Sequence, residues 1–446
     1  MNWEYDLNDS IPMKRVLIIT YYWPPSGGSG VQRWVKFTKY LPQEGWQPVI
    51  YTPENPDLTT MDKTLASEIP PEAEIVRHKI IEPYSIYRKL IGQKGKEGEV
   101  NPIHSGKKSW KQELSLFIRG NFFIPDPRVT WVKPSIRYLK SYLKEHPVDA
   151  IVSTGPPHSM HLIGLGVSKA TGLPWLADFR DAWTNMFYYK HLDLTKWADR
   201  KQHELEKKVL DNATIVVSVS PREQQDFQAM TSNKVRLMTN GFDPEDYRQD
   251  FDCDENFNIT LTGLFASDGN PKVLWQVLSE KCKDDEMFRK SLRIRLVGKT
   301  DQAILESIQA AGLKENLHYL GYQPHEVAVR EQRNASFLLL CLRQEPEYAS
   351  AVPGKIFEYL ASRRPILGIG QTDSMMAKII QDTSSGVAYD WEDRKSIKSW
   401  VDFCWNEFKN DELLDNTSDI SKYNRRTITK QLVSYLEEMT TDKKVR

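Results

Sequence analysis

The amino-acid sequence predicts an α/β protein with two doubly wound parallel sheets. Three observations lead there. Apolar runs of strand length alternate with helical patterns through most of the 446 residues, the rhythm of βα units. The run at 336–342, Ser336-Phe337-Leu338-Leu339-Leu340-Cys341-Leu342, is apolar without alternation, as strands covered on both faces are. The rhythm also runs twice, with an acidic, turn-rich stretch at 240–256 as the hinge.

The first half opens with a strand at 16–21, which enters Trp23-Pro24-Pro25-Ser26-Gly27-Gly28-Ser29-Gly30 and then a helix at 31–41. Short strands are expected at 48–52 and 74–76. A strand at 150–153 ends in Thr154-Gly155-Pro156-Pro157-His158 and is followed by a helix to about residue 170. The strand at 174–177 runs into Asp178-Phe179-Arg180-Asp181-Ala182-Trp183. A polar helix spans 194–210, and strands at 213–219 and 235–238 close this half. In the second half, strands are expected at 258–262, 292–297, 317–320, 336–342 and 366–369, with helices between them. The tail at 419–439 has helical character.

Composition narrows the function classes. Lys+Arg and Asp+Glu balance at 60 each, so no global field recruits nucleic acid. The four cysteines, at 253, 282, 341 and 404, are scattered without a Cys-x-x-Cys pair. A reducing, cytoplasmic setting fits better than a disulfide framework or a zinc site, and no cluster has metal-ligand character. The first fifteen residues carry acids and no long apolar region, unlike a signal peptide. Met13, just ahead of the first strand, is an alternative start. No segment approaches the ~18 apolar residues of a membrane span.

Residues 79–145 break the rhythm. They hold fourteen Lys/Arg against six Asp/Glu, with Tyr84, Tyr87, Trp110, Phe117, Phe122, Phe123 and Trp131 among them. Basic residues with interleaved aromatics suit an anionic membrane surface or a phosphate-bearing acceptor. A solvated, Lys-rich tip at 92–111 is the plain reading of that part; contact with membrane or acceptor is expected of 117–131.

The densest functional signal is Pro353-Gly354-Lys355-Ile356-Phe357-Glu358-Tyr359-Leu360-Ala361. Ile356, Phe357, Leu360 and Ala361 fall on one arc of a helix and belong to the core. Lys355, Glu358 and Tyr359 fall on the other side. A helix N-terminus favours anions. A Lys there suits phosphate, and a carboxylate one turn on suits a diol such as ribose. Alone, the pair also reads as an ordinary solvated Lys–Glu pair. The apolar strand and loop before it place it where open α/β sheets bind ligands.

These pieces together resemble the GT-B glycosyltransferases. More narrowly, the chain is similar to retaining family-4 glycosyltransferases of the bacterial surface-polysaccharide and lipopolysaccharide type. The resemblance rests on Tyr21-Tyr22-Trp23-Pro24-Pro25 with Gly27-Gly28, Ser153 to Ser159, Ala177 to Trp183, Asn240-Gly241-Phe242-Asp243, and Gly354 to Ala361. It implies two Rossmann-like domains facing a central cleft. The expected divisions are an acceptor domain at 13–245, a nucleotide-sugar domain at 246–418, and a C-terminal helix at 419–446 packing back on the first domain. It implies donor contacts from Gly27, Gly28, Gly30, Gly354, Lys355 and Glu358, with Lys272, Lys299 and Arg343 as candidate partners of the diphosphate. His158 and Asp178 are the catalytic candidates; Arg180 and Asp181 are acceptor candidates, or a local ion-pair set.

Two positions depart from the family pattern. Ser350 stands where a second Glu is usual, eight residues before Glu358. The loop after the first strand of the second domain offers Asp268-Gly269 where a basic residue is usual. The expected reaction is metal-independent transfer of a hexose-type sugar, without a cofactor, from a nucleotide-diphosphate sugar to a glycan or lipid-linked acceptor. Rival readings are a sugar-nucleotide epimerase, a non-catalytic partner in polysaccharide assembly, and a nicotinamide dehydrogenase. The last fits poorly, because Gly28-Ser29-Gly30-Val31-Gln32-Arg33 lacks the third glycine and no acid ends the strand at 48–52.

Overall fold

A computed structural model describes residues 13–57, 61–62, 64–81, 110–186, 189, 192–248, 255–410 and 418–442. Tyr84, Tyr87, residues 92–109 of the Lys-rich stretch and Cys253 lie outside this set. The chain divides into two compact units, residues 1–239 with 429–446, and residues 240–428.

The first unit holds a parallel sheet of β1 (Lys14–Ile19), β2 (Trp46–Pro53), β3 (Glu74–His78), β4 (Ala150–Gly155), β5 (Trp175–Phe179), β6 (Ile215–Ser218) and β7 (Lys234–Leu237). Their order is β3-β2-β1-β4-β5-β6-β7. The connections reverse direction between β1 and β4, the place where doubly wound sheets open a ligand crevice at their carboxyl ends. Val16 to Ile19 are fully buried, as a central strand covered on both faces must be. The helices are α1 (Ser29–Tyr40), α2 (Trp110–Phe122), α3 (Val129–Glu145), α4 (Ser159–Thr171), α5 (Lys196–Asn212) and α6 (Pro221–Met230). Thr195 caps α5 by accepting from Ala198 N, and Ser220 caps α6 by accepting from Glu223 N ahead of a first-turn proline.

Much of the basic, aromatic region is therefore helix. Trp131, expected at a membrane or acceptor surface, is core. It is buried and its ring stacks on Tyr51 at 4.9 Å with 9° between the planes. Burying an indole against a sheet contributes more than exposing it. Phe117 and Phe122 of α2 do remain exposed.

The second unit holds a parallel sheet of β8 (Phe257–Thr262), β9 (Leu292–Val297), β10 (Leu317–Gly321), β11 (Phe337–Cys341), β12 (Ile366–Ile369) and β13 (Gly386–Tyr389). The order is β10-β9-β8-β11-β12-β13, reversing between β8 and β11. Its helices are α7 (Lys272–Asp284), α8 (Glu286–Ser291), α9 (Gln302–Ala310), α10 (His325–Arg333), α11 (Lys355–Ser362), α12 (Met375–Asp382) and α13 (Arg394–Lys409). The last helix, α14 (Arg425–Asp442), starts in this unit and from Thr429 belongs to the first. There Glu437 pairs with Lys14 and accepts from Trp46 Nε1 at 3.0 Å, while Gln431 donates to Leu237 O at 2.9 Å. Cys282, Cys341 and Cys404 are free thiols. Among the described residues no helix is long and apolar enough to cross a membrane.

Candidate active site

In the first unit the expected residues gather at the carboxyl ends of β1, β4 and β5. The loop after β1 brings Gly28, at φ +110°, to the start of α1, where no side chain caps the helix. Its open amides are the kind that receive an anion. Gly27 is half-buried and Gly28 exposed. Gly30 lies under Arg180: a Cβ there would meet Nη1 at 1.3 Å. Arg180 Nη2 donates to Pro156 O, and its Nε is buried with no hydrogen-bond partner among the described residues.

His158 opens α4 and is 8% exposed. Its ring lies parallel to that of Trp183 at 4.6 Å, with 6° between planes. Burial holds its pKa well below the usual histidine range, helped by His161 and the Arg180 cation. The ring is therefore neutral, and Nδ1 has no hydrogen-bond partner among the described residues. His161, fully buried, is pushed down to about 3 by burial and then by Arg180.

Asp178 differs from what the sequence suggests. Its carboxylate is fully buried. It accepts from Arg33 Nη2 at 2.9 Å, Trp34 Nε1 at 2.8 Å and Thr154 Oγ1 at 2.9 Å. Arg33, equally buried, also donates to Met238 O and Thr239 O at 3.0 and 2.8 Å. This buried ion pair ties α1 to β5 and to the end of β7. No part of the carboxylate faces solvent, and its hydrogen bonds join α1 and β4 to β5. The alternative of Arg180 pairing with both acids is not what forms, since Asp178 takes Arg33.

Asp181 is half-buried and makes no hydrogen bond to a described residue. Burial pushes its carboxyl up to about 6, against the pull of Arg180. Glu223, in the first turn of α6, is pushed up to about 7 by burial and then by the Asp181 charge; its Oε2 is buried without a hydrogen-bond partner among the described residues. A neutral imidazole, a guanidinium and two readily protonated carboxyls thus stand at adjacent strand ends. Such a set both donates to and accepts from hydroxyl groups.

In the second unit the expected residues gather around α11. No side chain caps this helix at Gly354. Lys355 Nζ donates to Leu264 O at 2.9 Å, and burial lowers its pKa to about 8 against the opposing pull of Cys341 and Glu358. Glu358 Oε2 accepts from Gln332 Nε2 at 3.0 Å, which also donates to Thr262 Oγ1. Tyr247 OH donates to the other end of Gln332. Tyr359, expected on the open side of the helix, is fully buried instead: its hydroxyl accepts from Thr262 N at 2.9 Å. The turn after β8 packs backbone to backbone on the turn after β9, where a Cβ on Gly298 would meet Gly263 O at 2.4 Å. Phe265 N donates to Lys299 O, so Lys299 and Lys355 border one loop. Lys272 and Lys299 are exposed. Arg343 is held by Asp268, Nε to Oδ2 at 2.6 Å, and by the Tyr348 hydroxyl. The carboxylate that departs from the family pattern is thus neutralised by the arginine nearest to it.

Residues 118–241, nearly all of them in the first unit, match a family model described as a glycosyl transferase 4-like domain. No curated protein sequence matches the chain. Solved structures share the fold over nearly its whole length. A sucrose-phosphate synthase from Thermosynechococcus elongatus is 14% identical, with 96% of this chain and 100% of that one covered and a TM-score of 0.61. WaaG, a glycosyltransferase involved in lipopolysaccharide biosynthesis, is 12% identical over 94% and 99%, with a TM-score of 0.53. A protein assigned as a UDP-N-acetylglucosamine 2-epimerase from Listeria monocytogenes is 10% identical over 96% and 97%, with a TM-score of 0.54. The two Rossmann-like domains are those of the GT-B architecture.

Proposed function

We propose that the chain is a retaining glycosyltransferase that moves a hexose-type sugar from a nucleoside-diphosphate sugar to a hydroxyl of a glycan or lipid-linked acceptor, in cell-surface polysaccharide synthesis. The observation that carries this reading is the uncapped N-terminus of α11, with Lys355 on its first residue and Glu358 one turn on. The glycosyl transferase 4-like match in the other unit supports it.

In this account Glu358, held by Gln332, takes the ribose diol. Lys355, the amides of Gly354 and the start of α11, with Lys272 and Lys299, offset the diphosphate charge without a metal or cofactor. His158, neutral at working pH, hydrogen-bonds a sugar hydroxyl. Arg180 and Asp181 hold acceptor hydroxyls. The glycosidic C–O bond to the diphosphate breaks, the bond to the acceptor oxygen forms on the same face, and a phosphate oxygen takes the acceptor's proton. No carboxylate nucleophile is required, which agrees with the sealed Asp178. The exposed Leu114, Phe117, Phe122 and Trp197, beside exposed Lys196 and Arg200, suit peripheral contact with an anionic membrane.

The fold shared with the Listeria monocytogenes protein favours a second reading, a sugar-nucleotide epimerase. Incubation with nucleotide sugars separates the two. Acceptor-dependent release of nucleoside diphosphate supports transfer. Conversion of the donor sugar without any acceptor replaces it with epimerisation. Neither reaction, together with binding of the nucleotide, leaves the non-catalytic partner.

A further inference from the structure

One side of α5 carries polar residues, two of them buried where apolar ones are the rule. Half-exposed Asp199 and buried Gln202 and Glu206 lie at spacings of three and four, so they share that side of the helix. Each grips the segment that follows β5. Asp199 accepts from Tyr189 OH at 2.9 Å, Gln202 accepts from Trp183 Nε1 at 2.7 Å, and Glu206 accepts from the Thr184 hydroxyl and backbone N. Gln202 and Glu206 are 3% and 1% exposed. Buried polar side chains of this kind persist when both of their ends are satisfied.

Gln202 is satisfied at both ends, and chemistry dictates which end is which. The indole N–H of Trp183 can only donate, so the atom facing it is the amide oxygen. Gln202 Nε2 then donates to Pro125 O at 3.1 Å. The next residue, Asp126, accepts from Ser159 N at 2.8 Å and from Ser159 Oγ at 2.9 Å. Ser159 follows His158 directly, and Trp183 is the ring on which His158 lies. One glutamine therefore holds His158 twice: through the indole against its face and through the 125–126 segment that anchors the adjoining helix turn.

We infer that Gln202 is a positioning residue for the His158 imidazole. It acts through Trp183 and through the Pro125–Asp126 strap. Its consequence for turnover rests on the transferase reading above; its hold on the ring does not. Around the imidazole stand His161 from α4, Arg180 from the end of β5 and the Ala182 backbone. Among the described residues Gln202 hydrogen-bonds to Trp183 and Pro125 and to none of these, so a change at Gln202 reaches the ring by way of the indole and the strap.

The test needs no substrate. Diethyl pyrocarbonate acylates neutral, accessible imidazole, and peptide mass spectrometry reads His158 apart from the other histidines. Gln202→Leu should acylate His158 roughly tenfold faster, as expected if losing one buried hydrogen bond raises the population of the opened ring. Trp183→Phe keeps a ring and removes the donor; it should accelerate acylation similarly, and it serves if the Leu variant does not fold. The double variant should react about as fast as Trp183→Phe with only the strap's share added, because both changes cut the same link. Wild-type acylation rates in both folded single variants would overturn the inference, and so would full multiplication of their effects. Once a donor is identified, Gln202→Leu should lower kcat with little change in donor KM. If His158→Ala turns over like the wild type, the transferase role of His158 falls, while the acylation result still decides the role of Gln202.

Discussion

The guanidinium of Arg180 occupies the space in which a side chain on Gly30 would begin, with Nη1 1.3 Å from the position of a Cβ. Arg180 also donates to Pro156 O, so the group is tethered rather than free to swing. Gly30→Ala should lower stability by about 1–3 kcal/mol, the range for forcing extra volume into a packed site. Arg180→Ala in the same chain should restore much of the loss. Chemical denaturation of the single and double variants checks this; a Gly30→Ala protein as stable as the wild type would show that the contact is not made.

Asp178 and Arg33 form a fully buried pair. Removing one partner leaves an uncompensated charge, so Asp178→Ala should destabilise the fold by about 3–5 kcal/mol. Replacing both residues by leucine should cost less than the sum of the single changes, because no buried charge remains. Equilibrium unfolding of the four proteins measures the coupling.

Stability should depend on pH through two opposed sets of groups. The carboxyls of Asp181 and Glu223 are raised from 3.8 and 4.5 to about 6 and about 7. Their contribution is complete below those ordinary values and lost as pH rises through 6 to 7. His158 and His161 are lowered from 6.5, so theirs is present above 6.5 and lost as pH falls below it. Between pH 7 and 5 the two sets oppose each other. Asp181→Asn with Glu223→Gln removes the acid-side gain, so that protein should lose stability more steeply than the wild type as pH falls from 7 to 5. Denaturation series at pH 5, 6 and 7 that run parallel would contradict this.

Lys355, lowered to about 8, must be charged to attract a diphosphate. Affinity for a nucleoside diphosphate should be full below pH 8 and weaken above it, approaching about tenfold per pH unit as one proton becomes linked to binding. Lys355→Met should bind more weakly and without that dependence. Glu358→Ala should lose about 1.5–3 kcal/mol, a hydrogen bond to a charged group. Titration calorimetry across pH reads all three.

The sheets were legible because their strands are continuous apolar runs. Seven strands of the first unit and five of the second stand out in the sequence; β13, four half-buried residues at a sheet edge, does not. Helices α2 and α3 were obscured by their Lys and Arg content, although buried Trp131, Leu139 and Leu143 give α3 a core face. Glu358 and Lys355 were legible because they lie close together in one short motif. Arg33, Trp34, Asp126, Gln202 and Gln332 were not, because their partners lie elsewhere in the chain. Arg33 and Asp178 are 145 residues apart. A polar residue on the inward face of a helix, such as Gln202, was the signal available for them.

The most direct measurement is thermal denaturation of the purified protein with UDP, GDP, ADP, CDP, dTDP or NAD, beside the Glu358→Ala variant. Ligand that binds only the folded state raises Tm by mass action. A nucleoside diphosphate should stabilise the wild type and fail to stabilise the variant. No shift with any diphosphate, or a shift with NAD alone, would contradict it.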